Sequence, residues 1–349
     1  MRNIRISDIG DGLAMNIETI KGVDIQIDCG SQQKSHKLLE SCFLYNSEMF
    51  FLSHFHSDHY NGLNLALDNT IKLNIEKLYF PKLPKFKQSI KFLKCLFAMN
   101  MTLGGYSGNM ETDFINLVRK LNNKSFKYKA LSKGDIEYIG GEKVEILWPP
   151  KKLNNKYFLI SVNNALKKFD KALEKDSSLK ENFNKIEKTD VIKKYTQNEV
   201  INCEQKNDNE KWNNNINVDN EIPKETKEAN TALRSVANRL SLAFHIDNSL
   251  LFMGDLEATE IKKVVEILIE KQTVSFYTMI APHHGTHWNE ILRKLSSDIC
   301  VSSIGSRLLR NAKNDYKNIS NTTLWTYLNG DIFIPFRPRY SERYYTKWY

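Results

Sequence analysis

The sequence predicts a mixed α/β fold. Three features carry that prediction: short β-branched and aromatic runs bounded by glycine turns, stretches of helical period between them, and histidines and aspartates clustered where strand-like runs end. Loops at strand ends are where α/β proteins build their sites. The chain has 349 residues, enough for one large domain or two modest ones with a buried core. We read one domain over 1–349, with an insertion at 151–229 and an aromatic, basic tail at 331–349.

Strand-like runs come first, at 4–6, 14–19, 23–27 and 50–53, separated by Gly-marked turns. A helix is expected at 61–67, a short strand at 76–80 and a helix at 88–99. Ile115, Leu117 and Leu121 continue a helical layer, and 143–148 is strand-like until Pro149-Pro150 stops it. Composition then shifts. Residues 151–229 hold 16 Lys, 15 Asn and 14 Asp plus Glu, with no Arg and no Gly. Helical pieces are expected at 162–173 and 181–195, whereas 202–221 is too polar to pack. Beyond it, 240–245 and 249–253 read as a strand pair turning at Asp247-Asn248, followed by Gly254-Asp255. An amphipathic helix at 258–270 precedes a buried strand at 276–281, which ends at Pro282-His283-His284-Gly285-Thr286.

The formal charge of +9 favours acidic partners such as nucleic acid or phosphorylated metabolites, although Lys-rich and Asn-rich composition also follows from genomic base content. Five cysteines (Cys29, Cys42, Cys95, Cys203, Cys300) are scattered and form no C-x-x-C pair. That argues against a disulfide framework or thiolate zinc site and fits a reducing compartment. The N-terminus enters strand-like sequence with no apolar signal core, and no run of about eighteen apolar residues occurs. A cytoplasmic location without a membrane span is expected.

Residues 54–59 read H-F-H-S-D-H directly after the apolar run 49–53. Alternating His54 and His56 leave a strand end on the same side, and Asp58 and His59 follow on the turn. Imidazole suits zinc, iron, nickel or copper, and a carboxylate extends the choice to manganese. The alternative is a chance polar cluster, in a chain with only eight histidines.

Together with Gly254-Asp255 and Pro282-His283-His284-Gly285-Thr286, this loop resembles the metallo-β-lactamase superfamily. More narrowly the chain is similar to the soluble hydrolase domain of the ComEC competence family. Asp8-Ile9-Gly10-Asp11-Gly12-Leu13-Ala14, Gln26-Ile27-Asp28-Cys29-Gly30, Trp148-Pro149-Pro150 and Asn238-Arg239-Leu240-Ser241-Leu242 match its motifs in order, over about 1–150 and 230–305. The resemblance implies a four-layer αββα sandwich with two divalent metal ions, zinc or manganese, at one edge. It implies that His54 and His56 hold the first ion, Asp58 and His59 the second, and Asp255 bridges both. His283 is expected to complete the second site, with His284 behind it or against substrate, and Asp28 to steady the histidine loop. Ser241 is expected to support the site from the matching strand.

One departure stands out. Many superfamily members supply a third histidine to the first ion, but no histidine occurs between 60 and 244. Asn238 sits at or next to that position, as in the ComEC-like branch. An amide oxygen is a harder, weaker ligand than imidazole, which tilts preference toward manganese. Two ions about 3.5–4 Å apart activate a water and stabilise developing negative charge. Asp58, His284 and His287 are the candidates for proton transfer.

Weaker signals have two readings each. Lys82, Lys85, Lys87, Lys91 and Lys94 form a basic run that is either a phosphate-tracking stripe or a solvated helix face. The arginines and aromatics of the tail suit single-strand binding or docking on the domain itself. His36 and His245 are expected to be structural, as is Trp148. The function expected is a metallo-β-lactamase-fold hydrolase, most readily a nuclease acting on DNA or RNA, with an operon-encoded protein as a further partner. Its rivals are a small-molecule metallo-hydrolase, such as a lactonase or phosphoester hydrolase, and a partner-dependent metal-binding module without activity of its own.

Overall fold

The computed structural model describes residues 1–32, 46–68, 72–107, 113–122, 127–188 and 221–336. One seven-stranded sheet contains β1 (Asn3–Ile6), β2 (Gly12–Glu18), β3 (Asp24–Ser31), β4 (Met49–Phe51), β5 (Lys77–Pro81) and β6 (Lys127–Leu131), with β14 (Ile332–Pro335) at its edge beside β1. The second holds β7 (Ile136–Ile139), β8 (Glu142–Trp148), β9 (Ala243–Ile246), β10 (Leu250–Phe252), β11 (Ser275–Ile280), β12 (Ser296–Ser302) and β13 (Ser320–Trp325). Both obey one grammar. Reading 14-1-2-3-4-5-6 in one sheet and 7-8-9-10-11-12-13 in the other, three antiparallel pairings are followed by three parallel ones.

Parallel neighbours need crossovers. Here α1 (Asn61–Asp68) follows β4, α2 (Ser89–Ser107) and α3 (Phe114–Asn122) follow β5, and α7 (Ala258–Glu270) follows β10. Between antiparallel β8 and β9 lie α4 (Lys156–Lys175), α5 (Ser177–Glu187) and α6 (Lys224–Asn238). Period-2 alternation sends Leu13, Met15 and Ile17 of β2 inward to meet Ile146, Phe244 and Phe252 of the facing sheet. The opposite strand faces, including Cys29, Phe50, Leu78, Leu251 and Met279, join the helices in a second cluster. The result is the four-layer αββα sandwich that the motifs imply.

The stretch 151–188 is more helical than its polarity suggests. Asn155 caps α4 by accepting from the Tyr157 and Phe158 amides at 2.9 and 3.1 Å. Phe158, Val162, Ala165, Leu166 and Phe169 form a buried stripe on α4, so the helix extends beyond the expected 162–173. Asp176 closes α4 and caps α5, while its second oxygen accepts from Thr226 of α6 at 2.8 Å. One buried carboxylate thus ties three helices together. The expected 181–195 helix begins earlier and is described as α5; residues 189–220 lie outside the described residues, as do His36 and the tail from 337 onward.

Five strands were absent from the sequence reading: β6, β7, β12, β13 and β14. The start of the tail, 332–335, pairs antiparallel with β1 and closes the sheet edge. Among the described residues, no helix is long and apolar enough to cross a membrane.

Candidate metal centre

The site starts from a bulge. Ala14 pairs with Cys29 and Met15 with Ile27, so Asp28 is an extra residue in β3, held at φ 50°. A bulge re-aims one side chain and shifts the alternation, so Ile27 joins the cluster between the sheets and Cys29 the cluster under the helices. Its Oδ1 accepts from the Ser53 amide at 2.7 Å and its Oδ2 lies 2.7 Å from His59 Nδ1. Close packing follows: a Cβ on Gly30 would sit 2.5 Å from the Asp58 carbonyl carbon and 2.6 Å from the His59 nitrogen.

β4 runs parallel between β3 and β5 and delivers the histidine loop at the strand end. His54 Nε2 lies 2.8 Å from His56 Nδ1, and Ser53 Oγ lies 3.0 Å from His54 Nδ1. Ser57–His59 forms a 3₁₀ turn that swings Asp58 and His59 to the neighbouring position. Asn100 of α2 donates to the Phe55 carbonyl at 3.0 Å and holds the loop from outside.

The second sheet supplies the rest. Asp255 follows β10, its amide donating to Ser241 Oγ at 3.2 Å. Its Oδ2 is a hub: the Nε2 atoms of His54, His59, His283 and His284 lie 3.8, 3.5, 3.7 and 3.5 Å away. Ligand-capable atoms group as His54–His59–Asp255 and as Asp58–His59–His284, all buried.

The turn after β11 separates its two histidines. His283, His284 and Gly285 take φ of 51°, 59° and 80° in succession, a run that splays adjacent side chains apart. His284 turns inward, with Nδ1 on the Ser303 carbonyl at 2.9 Å, so Nδ1 carries the proton and the lone pair of Nε2 faces the space between Asp58 and Asp255. His283 instead lies with Nδ1 2.7 Å from His287 Nδ1, grouped with His287 and Glu257. The motif expectation put His283 at the second ion and His284 behind it; the turn groups His284 with Asp58 and His59.

Buried charge sets the protonation. Burial drives His54 and His56 well below the usual imidazole range, aided by His59 for the first and Arg234 for the second. Neutral imidazole is the ligating form. Burial also presses on His59, but Asp255 and Asp28 outweigh it and raise its pKa. Burial alone would raise Asp58 and Asp255; Arg234 and His59 hold the first, and His284 and His59 the second, well below the carboxylate range. Burial pushes His283 down to about 4.

Sequence reasoning missed Arg234, Gln32 and Glu257. Arg234, on α6, places one guanidinium nitrogen 3.4 Å from both Asp58 oxygens, and Gln32 donates to Asp58 Oδ2 at 2.8 Å. The amphipathic period of α6 was the available signal, because Arg234 falls near its buried end beside Ala237 and Asn238. Asn238 Nδ2 lies 3.4 Å from Glu257 Oε1 and 3.5 Å from His283 Nε2. Lys82 lines a small cavity with His54, Phe92 and Leu240. Lys85 pairs its backbone with Lys151 and Leu153, whereas Lys91 and Lys94 face Asp170 of α4 and Glu187 of α5 at 3.0 and 3.6 Å. The basic run is thereby partly neutralised by the inserted helices. His245 lies on β9 against Glu145 at 3.5 Å, away from this centre, and Trp148 is buried with its indole N–H on the Arg239 carbonyl.

The donor set suits divalent ions. His56 Nε2 and His59 Nε2 are buried without a hydrogen-bond partner, a costly state for two imidazoles unless something binds there. No family model and no curated protein matches the chain. Among solved structures it is similar to the crystal structure of a long form RNase Z from yeast, at 8% identity and a TM-score of 0.41, over 86% of this chain and 37% of that one. The match thus spans little more than a third of that protein's chain.

Proposed function

We propose that the chain is a metal-dependent hydrolase of the metallo-β-lactamase type that holds two divalent ions, zinc or manganese, and cleaves phosphodiester bonds in DNA or RNA. The observation behind this is the convergence of the His54, His59 and His284 Nε2 atoms on one oxygen of Asp255 at 3.5–3.8 Å. We assign His54 and His56 to one ion, Asp58, His59 and His284 to the other, and Asp255 to both. Relative to the motif expectation, His283 and His284 exchange roles. Such a pair, when bound, activates water and neutralises charge developing on the substrate.

The protein's own groups prepare the donors. Asp28 accepts a hydrogen bond from His59 Nδ1–H, and the Ser303 carbonyl accepts one from His284 Nδ1–H, so each ring offers Nε2 toward the centre. Ser241 fixes the backbone of Asp255. Arg234, partly exposed, stands beside buried Asp58, and its planar fork fits paired phosphate oxygens. That cation, Lys82 and the net charge of +9 favour an anionic diester over a neutral lactone. The motif order of the ComEC-like branch points the same way.

The test offers single-stranded DNA, RNA and a neutral ester to the protein with manganese or zinc. We expect metal-dependent cleavage of polynucleotide, lost in Asp58→Ala and His284→Ala. Turnover of the neutral ester alone would favour a small-molecule hydrolase. Bound metal with no turnover would favour a partner-dependent module. Either result overturns the nuclease assignment.

A further inference from the structure

Beyond the residues assigned to the ion pair lies a second group of ligand-capable side chains. Glu257, His283 and His287 each offer one donor atom within 4.8 Å of the others. His287 Nδ1 lies 2.7 Å from His283 Nδ1, 3.6 Å from Glu257 Oε2 and 3.3 Å from the Leu256 carbonyl oxygen. Two loops bring these donors together, one opening α7 and one following β11.

A plain hydrogen-bonded histidine pair is the simpler account, and it leaves the arithmetic unfinished. A neutral imidazole has one N–H. Around His287 Nδ1 stand another imidazole nitrogen, a carboxylate and a carbonyl, and one proton serves only one of them. A cation in their midst serves all, once the two Nδ1 atoms part from hydrogen-bond distance to the wider spacing of two ligands on one tetrahedral ion. Two imidazoles and a carboxylate, with the last position left to a carbonyl or water, is a ligand set that zinc takes.

The arrangement is also held in place. The left-handed backbone of His283 turns its ring away from His284. Tyr316 donates its hydroxyl to the His287 carbonyl, and Asn289 donates to the Ala258 carbonyl at 3.0 Å, which fastens this loop to the start of α7. The side chains of His283, Glu257 and His287 are 23, 28 and 27% exposed, so an ion has a path in from solvent.

We infer that Glu257, His283 and His287 form a third divalent-cation site, with a ligand set that suits zinc, separate from the group around Asp255. An ion on His283 Nδ1 leaves the ring proton on Nε2, which faces Asp255 Oδ2 at 3.7 Å. The third site therefore adjoins the hub carboxylate without sharing a ligand with the pair. It uses none of the residues assigned to that pair, and it rests on the assignment of His284, not His283, to the inner ion.

The experiment is zinc stoichiometry of the full chain by elemental analysis, after stripping and reloading with zinc alone. Wild type should bind one equivalent more than His287→Ala and one more than Glu257→Gln. Asp58→Ala should retain that extra equivalent, still removable by adding His287→Ala. Cobalt substitution gives a second readout: an absorption component absent from His287→Ala and present in Asp58→Ala. Unfolding of the metal-free variants at the wild-type temperature shows that they fold. Equal zinc content in wild type, His287→Ala and Glu257→Gln overturns the third site. If the pair were misassigned but this site real, the one-equivalent difference would survive while the total fell.

Discussion

Asp28 and His59 meet at 2.7 Å, carboxylate to Nδ1, across 31 residues of chain. A single bulged residue in β3 makes the meeting, because a regular strand would place its side chain differently from one held at φ 50°. The same carboxylate receives the Ser53 amide and so fixes both ends of the histidine loop.

Asp28→Asn keeps a residue that tolerates positive φ but removes the charge on His59. We expect affinity for the ion assigned to Asp58, His59 and His284 to fall about 10–100-fold, with the fold retained. Competition against a chromophoric chelator measures it.

Metal and pH act in opposite directions on His59. In the metal-free protein burial lowers its pKa, but Asp255 and Asp28 prevail and raise it well above 6.5. A raised folded pKa contributes stability that is complete below 6.5 and lost as pH climbs through the folded value. Metal-free protein should therefore unfold progressively earlier above that pH, while metal, which needs the deprotonated ring, binds better there. At a hundredfold excess over Kd, metal should add about 2.7 kcal/mol. Thermal unfolding between pH 6 and 9, with and without chelator, tests both slopes; parallel slopes would refute this.

Arg234→Ala should leave metal content unchanged and lower kcat/KM on a polynucleotide by about ten- to a hundredfold, the scale of about 1.5–3 kcal/mol for a charged hydrogen bond. Arg234→Lys should recover only part, since a point charge lacks the fork. Steady-state kinetics on an oligonucleotide and on a neutral ester discriminate: only the former should respond.

Gly30→Ala drives a methyl into backbone of the Asp58–His59 turn, which cannot move as a flexible side chain can. We expect a loss of about 1–3 kcal/mol together with reduced metal content. Denaturant unfolding and elemental analysis report the two effects separately.

His283 and His284 should part company on substitution. His284→Ala removes a buried member of the Asp58–His59 group and should abolish turnover, whereas His283→Ala should keep that ion and retain measurable turnover. Cobalt spectra of the two variants, read beside activity, decide which histidine serves the inner ion.

Much of the fold was legible because it depends on local pattern. The helix at 258–270 was read to its true ends, since apolar residues at helical spacing need no partner to be recognised. β12, β13 and β14 escaped. β12 and β13 are rich in Ser and Thr, β13 pairs along one edge only, and the tail's strand gains its meaning from β1, more than 300 residues away.

The candidate site divides in the same way. Sequence by itself determined the ligand types, their spacing in H-x-H-x-D-H, and their position after strand ends, because covalent neighbours and strand geometry suffice for those. Only tertiary structure decided which groups converge. The bulge at Asp28, the left-handed run that separates His283 from His284, and the reach of Arg234 to Asp58 across 176 residues are consequences of packing. Backbone angles and long-range contacts of this kind are not encoded by residue type at one position, so motifs alone could not choose between adjacent histidines.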